Sequence, residues 1–164
     1  MNRQIKAQPL TAESFSHFGS FYNFDSRQGF PLHGDGFLFF PDKIIANSGT
    51  GIGFSLLTVE RKTPFLIKEI EFHKTTWEIM MPLNDDAIIH VTPPSVGRIN
   101  TGETQAFIVP TRTLVRINTG VKHFAPLPVN KVELQALVIL PEATYMNDCF
   151  IENLQESQQF EITI

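Results

Sequence analysis

The chain has 164 residues, 42% hydrophobic and 18% charged, which provides for one packed domain over 1–164 and excludes a disordered chain. Thirteen basic residues against seventeen acidic ones give a net charge of −4 with no basic run, so no nucleic-acid partner is expected. Cys149 is the one cysteine, which excludes a disulfide framework and suits a reducing, cytoplasmic compartment, and no stretch is apolar enough for a signal peptide or a membrane span.

Residues 1–10 carry Ile5, Pro9 and Leu10 and predict a short edge strand. Thr11 then caps a short helix, Ala12 to His17, with Phe15 and Phe18 on one face and Gly19 as the stop. The stretch from Asn23 to Gly36 is rich in Gly, Asp, Ser and Pro and reads as a loop over one mouth of the fold. His33 lies in it, where a solvated histidine is the plainer reading than a site residue. From there the chain reads as strands at 36–40, 52–59, 65–73, 76–82, 86–92, 104–109, 113–118 and 132–140, punctuated by Gly, Pro and Asn clusters. Many short strands with almost no helical periodicity predict an all-β sandwich or barrel. Fifteen phenylalanines favour a thick aromatic core between two sheets. Open sheet edges in a barrel of this size favour pairing as a homodimer. After Pro141 the tail turns polar, and Asn153 to Gln159 reads as a brief helix or an irregular strap.

The chemistry concentrates between Ile67 and Pro82. At a strand period of two, Glu69, Glu71 and His73 share one face while Ile70 and Phe72 take the other. A turn through Lys74-Thr75-Thr76 lets the next strand carry Glu78 back to that face. Further along, Asn118-Thr119-Gly120-Val121-Lys122-His123 presents a second imidazole behind a glycine turn. The metal-ligand candidates are therefore Glu71, His73, Glu78 and His123, a donor set that suits Ni, Zn, Mn or Fe. Without a metal the same groups can act directly as acid and base. The plain alternative is that Glu71 and Glu78 are ordinary exposed strand residues. His90 reads equally as a cavity residue or a satisfied wall histidine. Trp77 reads as core, and Cys149 has no histidine beside it to make it a nucleophile.

The spacing Glu71-x-His73-x4-Glu78, with Asn118-x-Gly120-x2-His123, resembles the paired His-x-His-x(3,4)-Glu and Pro-x-Gly-x2-His motifs of the cupin superfamily, with Glu71 for the first histidine and Asn118 for the proline. More narrowly, the chain resembles the ureidoglycolate lyase family of allantoin (purine) catabolism. Phe15-Ser16-His17-Phe18-Gly19, Ile67-Lys68-Glu69-Ile70-Glu71-Phe72-His73, Gln105-Ala106-Phe107-Ile108 and Met146-Asn147-Asp148-Cys149 follow that family in order and spacing. The family's second motif reads Tyr-His-x-x-x-Trp-His-His-Pro; here Asn118, Lys122 and Phe124 replace a histidine, the tryptophan and one of the paired histidines. Glu78 replaces the family's glutamine.

The resemblance implies a cupin, a double-stranded β-helix or jelly-roll-like barrel. It also implies a carbon–nitrogen lyase that takes a small carboxylate, ureidoglycolate, to glyoxylate and urea. Glu71 and Glu78 become the candidate bases, and His123 the candidate acid or ligand. Arg116, Asn118 and Lys122 become candidate substrate contacts, with Arg116 equally readable as a solvated edge charge. The rewritten second motif leaves a second reading, a non-catalytic or regulatory cupin that binds a small metabolite.

Overall fold

Every residue of the strand Ala87–Val91 is buried, and its pleat sends alternate side chains into two different cores. Ile89 and Val91 enter one, and Ile88 enters the other. A strand covered on both faces belongs in a middle layer. The structure, a computed structural model, describes residues 3–97 and 99–164; Met1 and Asn2, at the start of the expected first strand, lie outside the described residues.

The middle layer is a four-stranded sheet ordered Leu127–Pro128, Ala87–Val91, Gln105–Val109, Gln8–Pro9. On one side it faces a five-stranded sheet ordered Gly19–Asn23, Thr113–Ile117, Glu78–Pro82, Glu133–Pro141, Ile52–Glu60. On the other it faces a three-stranded sheet ordered Arg3–Lys6, Phe160–Thr163, Phe65–Ile67. The expected all-β architecture is what forms, with a thin third layer added. Thr11 caps the short helix Ala12–Phe15 by accepting from the Ser14 amide. That helix drives Phe15 into the first core, where its ring meets Phe107 edge-on at 5.4 Å. Among the described residues, no helix is long and apolar enough to cross a membrane.

Three expectations change. The strand expected over 65–73 is two strands, Phe65–Ile67 and Glu69–Phe72, because its halves pair with different partners. Those partners, Phe160–Thr163 and Phe150–Asn153, come from the polar tail, where no strand was expected; between them the expected brief helix is the single turn Glu156–Gln158. The expected loop contains a strand, Leu32–Gly34, that pairs with Phe37–Phe39 of the expected strand 36–40 in an exposed hairpin and carries His33 opposite Leu38. The phenylalanines also divide. Phe15, Phe18, Phe107 and Phe160 are fully buried, whereas Phe30, Phe37, Phe39 and Phe54 are exposed.

His90 shares the Ile88 face of the middle sheet, under Phe160, whose ring it meets edge-on at 5.6 Å. Neither of its ring nitrogens has a hydrogen-bond partner among the described residues. Burial, assisted by the nearby His123, pushes its pKa down to about 3. The imidazole is therefore neutral in the fold, while the unfolded chain takes up a proton below about 6.5. The resulting stability is complete above 6.5 and is lost as pH falls from 6.5 toward 3. His90→Leu removes both the orphaned polar atoms and this acid sensitivity. The variant is expected to exceed the wild type by about 1–3 kcal/mol at pH 7, with the gap widening by roughly 1.4 kcal/mol per pH unit between 6 and 4. Urea unfolding at pH 7, 6, 5 and 4 measures it, and a constant gap would show that His90 does not titrate as described.

Candidate metal centre

The strand Glu69–Phe72 ends one residue before His73. Ile70 points into the second core and Phe72 stacks on Phe150 at 5.5 Å, so alternation turns Glu71 and His73 the other way. The turn at 74–76 reverses the chain, and Glu78 opens the next strand. Its partner across the ladder is Ile117, a residue of the first core, so Glu78 enters the barrel on that same face. The second half arrives behind Gly120, whose φ of +80° is the left-handed conformation that glycine adopts without penalty. Its amide donates to the His73 carbonyl at 2.7 Å. Glu71 and His123 then exchange backbone hydrogen bonds, which laces the two halves together.

One carboxylate oxygen, Glu78 Oε2, lies 3.2 Å from His73 Nε2 and 3.3 Å from His123 Nε2. The three ligand atoms all fall within 4.8 Å of one another. Both imidazoles are buried, 2% and 3% exposed, and their rings sit 5.3 Å apart. His73 Nδ1 donates to the Asp148 carbonyl at 2.7 Å and His123 Nδ1 to the Val121 carbonyl at 3.0 Å. A carbonyl only accepts, so each Nδ1 carries the proton and each Nε2 presents its lone pair toward Glu78. Three lone-pair groups aimed at one point require a positive charge between them. Either protons or a metal ion supply it, and two imidazoles with one carboxylate form a well-known open site for divalent transition metals. The donor set therefore fits a metal.

In the metal-free cluster the protons take that place. Burial alone would raise the Glu78 pKa, but the charge of His123 and the hydrogen bonds from both imidazoles bring it down to about 2. Burial likewise opposes charge on His73 and His123, yet Glu78 and the backbone carbonyls outweigh it and raise both.

Of the four sequence-derived ligands, the structure gathers His73, Glu78 and His123 tightly. Glu71 stands at their edge, its Oε1 3.8 Å from His73 Nε2 and bonded by the Cys149 thiol at 2.9 Å. Burial and then the Glu71 hydrogen bond push that thiol up to about 12, so it stays protonated. The structure does not bring Arg116, Asn118 or Lys122 to the cluster. Arg116 pairs with Ile79, one step along from the Ile117–Glu78 pair, so it points out of the opposite face of the sheet and donates to Asn118. Lys122 alternates with His123 and sends its ammonium to Ser95 at 2.8 Å, above the Phe72 ring. Trp77 is buried, with Nε1 donating to the Asn47 carbonyl. His33 and His90 are not among the converging groups. The residue that sequence reasoning passed over is Asp148, which contacts His73 from 75 positions away.

Beside this cluster a cleft of about 630 Å³ opens between Leu57, Phe65, Lys68, Glu69 and Phe124. None of the three cluster residues lines it, and among the described residues the side chains placed to hold a metal are those of the cluster.

The family model described as ureidoglycolate lyase matches residues 2–162. No curated protein matches the chain. Among solved structures, an oxalate decarboxylase from Bacillus subtilis described for its Mn(II) centres is similar at 19% identity and a TM-score of 0.46, over 64% of this chain and 24% of that one. A formate complex of the Lactobacillus farciminis oxalate decarboxylase is similar at 11% identity and a TM-score of 0.46, over 62% of this chain and 26% of that one. The chain spans about a quarter of the length of these decarboxylases.

The titration of the imidazoles tests the cluster directly. In metal-free protein followed by NMR, both His73 and His123 are expected to titrate above 6.5. Glu78→Gln removes the charge that holds them there, so both should drop below 6.5 as burial prevails. Unchanged imidazole titration in that variant would mean that Glu78 does not hold their protons.

Proposed function

The chain belongs to the ureidoglycolate lyase family, and from that premise we propose that it is a carbon–nitrogen lyase splitting ureidoglycolate into glyoxylate and urea, a step of allantoin breakdown. The observation that carries this reading is the convergence of His73, Glu78 and His123 on one point, with a further carboxylate, Glu71, at its edge. The reading takes the chain as one cupin domain working in a reducing, cytoplasmic setting, which suits the free thiol of Cys149.

His73, Glu78 and His123 would hold a divalent ion drawn from Ni, Zn, Mn and Fe. Such an ion supplies Lewis acidity that lowers the pKa of the substrate hydroxyl and fixes its orientation. Glu71 takes the hydroxyl proton. As the carbonyl of glyoxylate forms, the C–N electron pair passes to the nitrogen, and Glu71 returns the proton there to release urea. No water is consumed, so one carboxylate can act first as base and then as acid.

Glyoxylate release from ureidoglycolate tests the reaction, alongside elemental analysis of the protein. The wild type is expected to be active and to carry the metal. Glu71→Gln should lower kcat by roughly 10²–10⁴-fold with metal content unchanged, and His123→Ala should lose both. A wild type that binds metal but releases no glyoxylate would replace this reading with that of a binding cupin.

The family reading extends to a homodimer, supported by the outer face of the five-stranded sheet. Its ladder aligns Phe54, Ile139 and Ile79 in one row and Leu56, Leu137 and Met81 in the next. Phe54 and Leu56 remain 70% and 66% exposed, on a nine-residue strand at the open edge of the sheet. A long apolar edge invites pairing, and a second copy across a two-fold covers edge and face together. Sedimentation of the wild type at micromolar concentration is expected to show a dimer, and Phe54→Lys with Leu56→Lys a folded monomer. A monomeric wild type would refute the dimer and leave the site reading intact.

A further inference from the structure

The tail segment around Asp148 is tied to the site by a set of side-chain and backbone hydrogen bonds. Asp148 is 6% exposed, and its carboxylate accepts five hydrogen bonds. Oδ1 takes the Lys74 amide at 2.8 Å. Oδ2 takes the amides of Thr75 and Thr76 at 2.9 and 2.8 Å and their hydroxyls at 2.8 and 2.9 Å. All five donors lie in the turn that separates His73 from Glu78. The backbone carbonyl of the same residue accepts His73 Nδ1. The next residue, Cys149, donates its thiol to Glu71. Phe150 then starts the strand that pairs with Glu69–Phe72, and the Lys74 ammonium sits 3.8 Å above its ring.

We propose that Asp148 is a positioning residue for the metal centre: its carboxylate sets the turn that spaces His73 from Glu78, and its carbonyl locks the His73 tautomer. Only an acceptor suits the position. An amide there keeps one acceptor oxygen, so even in its better orientation its NH₂ group faces the Lys74 amide and that donor loses its partner. Outer partners of this kind orient ligands without touching the ion. Cys149 extends the brace by holding Glu71, the group at the cluster's edge. The proposal rests on the metal reading for its effect on affinity, but its effect on His73 stands independently of any metal.

The experiment compares Asp148→Asn with Asp85→Asn. Asp85 grips a turn far along the chain in the same manner, accepting the Asn130 and Lys131 amides and the Asn130 side chain. It therefore reports what loss of a turn clamp does by itself. Two readouts are taken on metal-free protein: the imidazole ¹⁵N signals, and Zn²⁺ and Mn²⁺ affinity by calorimetric titration. Asp148→Asn is expected to shift the His73 signals, leave those of His90 in place, and weaken metal binding by about 10–100-fold. Asp85→Asn should lower thermal stability with neither effect. If Asp148→Asn fails to fold, Thr75→Ala with Thr76→Ala removes two of the five donors and is expected to show the same two changes at smaller size. Equal weakening by Asp85→Asn, or unchanged His73 signals in the Asp148 variants, overturns the proposal. If the wild type binds neither ion, the metal reading falls, and the positioning role is decided by the His73 signals alone.

Discussion

The Glu78 carboxylate sits between two buried imidazole nitrogens, and the rest of the site follows from the need for positive charge there. Both rings have committed Nδ1 to a backbone carbonyl, so only Nε2 faces the carboxylate. Out of water, such an arrangement is stable only with protons or a cation at its centre. The raised imidazole pKa values and the depressed one on Glu78 express that requirement in the absence of metal. A divalent ion held by the same three groups would supply that charge in place of the protons.

That constraint demands rigidity, which the layers around it provide. Glu78 belongs to a strand paired on both sides within the five-stranded sheet, and its neighbour Met80 is buried in the first core. His73 has no ladder of its own and depends on the Asp148 clamp and on the Gly120 amide. His123 depends on the paired bonds with Glu71. The second core stabilises the arrangement from behind, since Ile70 anchors the strand that carries Glu71. The His90 imidazole is the exception in that layer, a polar ring that has no hydrogen-bond partner among the described residues.

The apolar residues left outside follow a different logic. Phe54 and Leu56 continue rows that begin with buried Ile79 and half-buried Met81. The rows cross the sheet from a covered region to an open edge, so the apolar pattern continues past the cores of a single copy. This is why a count of phenylalanines overstates the core: a strand side chain is apolar whether its face meets the same chain or another one.

Local pattern was sufficient for much of this protein. Alternation along 69–73 separated Glu71 and His73 from Ile70 and Phe72, the glycine at 120 marked the turn before His123, and Thr11 marked the helix start. Each depends on neighbours within a few residues, which is the range over which strand period and turn chemistry act. Pairing between distant segments was not legible. The split of 65–73 is set by two tail strands, one about eighty and one about ninety-five positions away, and the role of Asp148 by a turn over seventy positions before it. Arg116 and Lys122 show the same limit in reverse, since both were candidate substrate contacts and neither reaches the cluster. Which face a strand residue takes depends on the strand beside it, and the Glu78–Ile117 pairing sends Arg116 outward. Residue types and spacing determined which groups can do chemistry; the long-range ladders decided which of them meet, because register with a distant partner leaves no trace in local sequence.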